Sequence, residues 1–253
     1  MMLCLDCGNS RIKYGLSAAT DDRWRCSGSL EHAALASLPG LLAPYPPPQH
    51  ILCANVAGEA IEAQLRAVLH GFAAQWHSVR STAQAAGVRN GYQNPGQLGV
   101  DRWCALLGAR SLQAGNLLVV MAGTATTIDI LDAEGNFRGG LILPGQSLMR
   151  QALARDTAAL PLAEGACERW PQTTADAIHT GTLYAQLGAI ERVWADWPDS
   201  ICLLSGGASP LLAPHLTCPT RQIADLPLLG LRQLARQELN ISRKPWKSSP
   251  SPN

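Results

Sequence analysis

The sequence predicts an α/β protein built from two similar halves, and two observations carry this expectation. An apolar strand, a loop of small residues and an alternating segment occur in that order at 3–17 and again at 117–131. The loop glycines, Gly8 and Gly123, stand 115 positions apart (123 − 8). Strand-length apolar runs also alternate with helical periodicities along the chain, the pattern of helices packed on sheets. At 253 residues, 47% of them hydrophobic, the chain can bury more than one core. The halves are expected at 1–115 and 116–241, with residues 242–253, rich in Pro and Ser, as a disordered tail.

The elements follow in order. Residues 2–5 read as a strand that breaks at Asp6-Cys7-Gly8-Asn9-Ser10, and 11–17 as its hairpin partner. Residues 30–43, rich in Ala and Leu, read as a helix ending before Pro44. Residues 51–56 form a strand, 58–74 an amphipathic helix, and 77–79 a short strand. Residues 86–99 hold turn formers and are expected as a long loop of functional kind. A helix is expected at 100–114, strands at 117–121, 126–131 and 137–143, and a helix at 147–158. A long helix at 173–195, a strand at 201–204 broken by Ser205-Gly206-Gly207-Ala208, and a helix at 226–239 complete the chain.

Charge excludes some classes of function. The net charge is +1 and the basic residues are scattered, so neither nucleic acid nor a membrane surface is an expected partner. No apolar run reaches the roughly 18 residues of a membrane helix. The eight cysteines are irregularly spaced and the N-terminus lacks a leader pattern, so reduced thiols in the cytoplasm are expected. Cys4 and Cys7 form a C-x-x-C without a second pair, which argues against zinc, and Asp6 inside the pair argues against a redox motif.

Three segments carry chemistry. Asp6, Gly8, Asn9, Ser10 and Lys13 place small residues, donors and a carboxylate around a turn, as a phosphate loop requires. Gly99-Val100-Asp101-Arg102 puts an acid and a guanidinium at the start of a helix, where Asp101 can serve as a general base and Arg102 can fork onto a carboxylate. Ala122-Gly123-Thr124-Ala125-Thr126-Thr127-Ile128-Asp129 offers a second phosphate loop. Each segment has a bland alternative: a satisfied hairpin turn, a helix N-terminus favoured by the macrodipole, and a capping carboxylate.

Together, in this order and spacing, the segments resemble the type III pantothenate kinases of the acetate/sugar kinase, Hsp70 and actin superfamily. The resemblance spans roughly 3–240 and includes Gly139-Gly140-Leu141-Ile142-Leu143-Pro144-Gly145. It implies an actin-like (ribonuclease H-like) duplicated two-lobed fold with mixed sheets flanked by helices. The implied activity is ATP-dependent phosphorylation of pantothenate to 4′-phosphopantothenate, the first step of coenzyme A synthesis, by a cytoplasmic homodimer with its site at the interface.

The resemblance also assigns roles. Asp101 is the general base. Asp6, Gly8, Asn9, Ser10, Lys13, Gly123, Thr124, Gly206 and Gly207 bind ATP. Tyr92, Gly99, Val100, Asp101, Arg102 and Thr174 bind substrate, Thr174 from the partner subunit. Asp6 holds magnesium, directly or through water, and Asp129 supports the loop or a metal. The family's acid at the head of the second loop, a ligand for potassium or ammonium, is here Met121. A thioether is a poor ligand for a hard ion, which puts that cation requirement in question. A weakened relative acting as a binding or transcription accessory protein, and another kinase or phosphatase of the superfamily, are the competing expectations.

Overall fold

In the computed structural model, which describes residues 1–18, 20–162 and 164–238, the chain divides into two compact units. One comprises Met1–Val79 and the described chain from Leu231; the other is Arg80–Gly230. The first contains β1 (Met2–Cys7), β2 (Arg11–Ser17), β3 (Cys26–Glu31), α1 (Leu38–Leu42), β4 (His50–Asn55), α2 (Glu59–Leu69) and β5 (Gln75–Ser78). The second contains β6 (Gln84–Ala85), β7 (Val88–Asn90), α3 (Val100–Leu112), β8 (Leu117–Ala122), β9 (Ala125–Leu131), β10 (Asn136–Pro144), α4 (Gln146–Asp156), α5 (Thr174–Asp196), β11 (Ile201–Ser205), α6 (Ser209–Leu212) and β12 (Thr220–Gln222). Helix α7 (Leu226–Glu238) begins in the second unit and continues into the first.

The first sheet runs β3-β2-β1-β4-β5. Its first three strands are antiparallel neighbours, and β4 and β5 add in parallel. One face buries Leu3, Leu5, Cys7, Ile51 and Cys53 against Leu38, Leu42, Leu65 and Leu69 of α1 and α2. The period of two along β1 sends Cys4 to the opposite face from Cys7. Both cysteines are free thiols within one strand, so the C-x-x-C forms neither a chelate nor a redox turn.

The second sheet runs β12-β11-β8-β9-β10-β7-β6. Its five strands from β10 to β12 repeat the plan of the first sheet: an antiparallel meander β8-β9-β10 with β11 and β12 added in parallel. Leu118, Val120 and Ala122 pack with Leu183, Leu187 and Ile190 of α5. Thr173 starts α5 by accepting a hydrogen bond from the Asp176 N–H at 3.2 Å.

Several elements differ from the sequence expectation. The helix expected at 30–43 is replaced by strand β3, a 3-10 turn over His32–Ser37 and the short α1. Pairing with β2 recruits the polar Cys26–Glu31 as an edge strand, and Pro39 and Gly40 shorten the helix that follows. The loop at 86–99 contains β7, which pairs with β10, and a 3-10 turn at Pro95–Gln97. The unit boundary falls at Val79/Arg80, where 115/116 was expected, because α3 packs on β8 and β9. The expected disordered tail, 242–253, lies outside the described residues.

Candidate active site

In the first unit, β1 delivers Asp6 and the loop Gly8-Asn9-Ser10 follows directly. Asp6 is buried and lies opposite Lys13 in the hairpin register, so both side chains rise from one face. Asn9 and Ser10 are exposed. The loop is held by the Gly8 N–H donating to the Arg11 carbonyl at 3.1 Å, by a His32 ring nitrogen 3.0 Å from the Gly8 carbonyl oxygen, and by the Val56 N–H on the Cys7 carbonyl at 3.0 Å. It is therefore a fixed turn with its polar side chains outward, as a phosphate loop needs.

In the second unit, the loop Gly123-Thr124 joins β8 to β9 and is exposed. Two glycine turns pack beneath it. The Gly145 N–H donates to the Thr124 carbonyl at 2.9 Å, and the Ala208 N–H donates to the Ala122 carbonyl at 3.0 Å. Gly206 has φ +101°, and a Cβ there would overlap the Ala122 carbonyl oxygen, so only glycine makes this turn. The expected nucleotide residues Gly123, Thr124, Gly206 and Gly207 are thus brought together. Met121 stands at the end of β8 between Thr127 and Ser205, half-buried.

Helix α3 presents Asp101 in its first turn, partly exposed, where the macrodipole favours a carboxylate. Gly99 leaves room for it: a Cβ at 99 would lie 2.7 Å from Asp101 Oδ1. Val100 is the first residue of the helix. Arg102, the next residue after Asp101, turns into the protein and is 4% exposed. Its Nε donates to Asp129 Oδ2 at 3.1 Å and its Nη2 to Asp129 Oδ1 at 2.5 Å, while Nη1 donates to the Tyr92 hydroxyl at 2.9 Å. The guanidinium lies 5.7 Å and 5.9 Å from the ring centres of Tyr92 and Phe137, which are themselves 5.4 Å apart. Burial alone would lower the Arg102 pKa, and the Asp129 carboxylate more than offsets it. Burial pushes the Asp129 carboxyl up against the opposing pull of Arg102. Two guanidinium N–H groups on two carboxylate oxygens is the geometry of an ionised pair.

The metal role expected for Asp129 is corrected by this arrangement. Asp129 has 0% exposure and both its oxygens accept from Arg102, leaving it the anchor of the arginine. Among the described residues no group of three or more His, Cys, Asp or Glu side chains could hold a metal ion. Tyr92, expected to contact substrate, accepts a hydrogen bond from Arg102. Asn90 holds it there, accepting from the Tyr92 N–H at 3.1 Å and donating to the Pro95 carbonyl at 3.1 Å. Gly140 and Phe137 were not expected as site residues: the Gly-Gly pair was visible as a pattern and Asp129 as a site residue, but not the packing of Gly140 against the Asp129–Arg102 pair.

Thr174 is the exposed first residue of α5. It lines a cavity of about 920 Å³ between α4 and α5 with Leu148, Met149, Leu153 and Ile178.

A sequence profile of the type III pantothenate kinases matches residues 2–196. The chain belongs to that family. It is 49% identical over 237 residues to the type III pantothenate kinase of Dechloromonas aromatica, covering 93% of this chain and 99% of that protein. It is 48% identical over 243 residues to that of Aromatoleum aromaticum, covering 94% and 99%. Among solved structures, the activator of 2-hydroxyisocaproyl-CoA dehydratase from Clostridium difficile, with bound ADPNP, superposes with a TM-score of 0.52 at 9% identity, covering 97% of this chain and 99% of that one. Ethanolamine utilization protein EutJ from Carboxydothermus hydrogenoformans superposes with a TM-score of 0.54 at 11% identity, covering 92% and 89%. The fold of this pantothenate kinase family member is the duplicated actin-like one. Among the described residues no helix is long and apolar enough to cross a membrane.

Proposed function

We propose that this chain transfers the γ-phosphoryl group of ATP to the primary hydroxyl of pantothenate, giving 4′-phosphopantothenate and ADP. The family membership supports the activity, and the observation that carries it is the Gly99–Arg102 segment. That segment sets a partly exposed carboxylate one residue from a buried, fixed guanidinium. Asp101 accepts the proton of the attacking hydroxyl as its oxygen bonds to phosphorus and ADP leaves. Arg102 and Tyr92 form the wall for the substrate carboxylate. Three of the five guanidinium N–H groups are engaged, leaving one on each terminal nitrogen for the ligand.

Each unit offers its own phosphate-binding loop, residues 8–10 with Lys13 in the first and Gly123-Thr124 in the second, and the Gly206-Gly207 turn beside the latter leaves space for the adenosine. Asp6 fits magnesium, which takes one or two carboxylates and fills its remaining positions with water and phosphate oxygens. The ion supplies charge neutralisation on the transferring group. The residues do not fit a monovalent cation at the second loop, because the thioether of Met121 replaces the oxygen ligand. We therefore read turnover as independent of potassium and ammonium.

A homodimer completes the proposal. Among the described residues the exposed large apolar side chains of the second unit, Leu141, Ile142, Leu148, Leu162, Trp170 and Tyr184, all fall between residues 141 and 184, and Leu148 among them lines the α4–α5 cavity. A second copy covering this face would place its Thr174 at the neighbouring substrate site. The test is phosphorus NMR of the product formed from pantothenate, ATP and magnesium in a cytoplasm-like buffer. A phosphomonoester on the primary alcohol supports the reading, and ATP consumed with no such product contradicts it.

A further inference from the structure

Asp129 is the polar partner of Arg102 that lies out of a ligand's reach: it is fully buried and both its oxygens accept from the arginine. It opposes Gly140 in the β9–β10 register, and a Cβ on Gly140 would overlap Asp129 Oδ1, lie 2.5 Å from the Ile128 carbonyl oxygen and come within 2.9 Å of Arg102 Nη2. The chain therefore keeps a bare backbone at 140 where the ion pair passes. On its other side the guanidinium is bounded by the rings of Tyr92 and Phe137. An arginine side chain has several rotatable bonds and a large conformational entropy. Here a side-on fork, a hydroxyl and two rings restrict it to one orientation.

We propose that Asp129, with the space left by Gly140, is a positioning residue that sets Arg102 to receive the carboxylate of the substrate and so determines selectivity for an acidic acceptor. This rests on the pantothenate kinase reading. Preorganising the fork removes the ordering cost that the ligand would otherwise bear, so the effect falls on substrate binding. Asp129→Asn keeps the shape but replaces one acceptor with an N–H₂ group aimed at a guanidinium N–H, which breaks the fork. Gly140→Ala pushes the pair from the opposite side. Tyr92→Phe leaves the fork intact and removes the third hydrogen bond to the arginine together with the hydroxyl that faces the substrate.

The experiment is steady-state kinetics of the full chain with pantothenate and ATP varied separately, alongside the Arg Nε–H signals of ¹⁵N-labelled protein without ligand. Asp129→Asn is expected to raise the pantothenate KM about tenfold or more while the ATP KM and kcat stay within a few-fold, the signature of lost substrate binding. Gly140→Ala should show the same split and Tyr92→Phe a smaller one. The Arg102 Nε–H signal, protected in the parent protein, should be lost in Asp129→Asn. A folded Asp129→Asn variant with an unchanged pantothenate KM, or with both KM values raised equally, overturns the inference. If Asp129→Asn fails to fold, the split in Gly140→Ala decides, because Tyr92 also meets the substrate directly. If the parent protein does not phosphorylate pantothenate, the functional reading fails, while the Arg102 signal still judges whether Asp129 orders the arginine.

Discussion

In the first unit the β1–β2 hairpin sets Asp6 opposite Lys13; in the second the equivalent β8–β9 hairpin sets Met121 opposite Thr127. The two sheets share one strand order, the two loops each follow a strand flanked by an antiparallel and a parallel neighbour, and each loop glycine N–H bonds to a carbonyl of the next strand. What differs is the charge at the loop head and what is built around the hairpin. The second unit adds β6 and β7 to the edge of β10, and with them the loop that carries Tyr92 to Arg102. Duplication thus supplies two similar strand–loop–strand frames, while ionic chemistry is divided: a carboxylate at the first loop, and the acid–arginine segment of α3 in the second unit.

The comparison breaks most sharply at Asp101. Asp101→Asn should lower kcat by about 10²–10⁴, the usual contribution of a positioned base, while calorimetry shows pantothenate still binding. At the first loop, Asp6→Asn should raise the magnesium concentration needed for half-maximal rate by about 10–100-fold, as for other residues that hold a metal directly or through water. A magnesium titration of the variant checks this, and an unchanged midpoint would remove Asp6 from the metal site. Arg102→Ala should destabilise the protein by about 3–5 kcal/mol in urea unfolding, because it strands Asp129 as an unpaired buried charge.

Much of this division is legible in the sequence and some is not. Strands β8 and β11 and helix α5 are clear because continuous apolar runs and long periodicity outweigh local detail. Strands β3, β6, β7 and β12 are short and polar, and only the neighbour they pair with makes them strands. Tyr92, Asp101 and Arg102 stand in one continuous stretch and could be read together. Asp129 is 27 residues from Arg102, and nothing in the spacing couples them until β9 is folded against α3. The reason for Gly140 is hidden for the same cause: it is a vacancy shaped by side chains remote in sequence.

Two smaller effects sharpen the comparison. Since Met121 offers no oxygen at the second loop, replacing sodium by potassium should change the rate by less than about twofold, whereas Met121→Asp should create a response to potassium. The second concerns pH and the first sheet. His50 and His77 lie with ring nitrogens 3.3 Å apart on β4 and β5. Burial and the proximity of His77 lower the His50 pKa, so the folded state favours the neutral ring. Its contribution to stability is present above the ordinary value of about 6.5 and is lost as pH falls through the lowered folded value. Melting temperature should therefore fall on acidification below neutral pH, with a shallower fall in His77→Gln.

The most direct measurement is ADP release by the parent protein in ATP, magnesium and sodium, with and without pantothenate. A saturable rate that depends on pantothenate, in the absence of potassium and ammonium, is the expected result. ADP release indifferent to pantothenate, or none from folded protein, would contradict the assignment of acceptor chemistry to the Gly99–Arg102 segment.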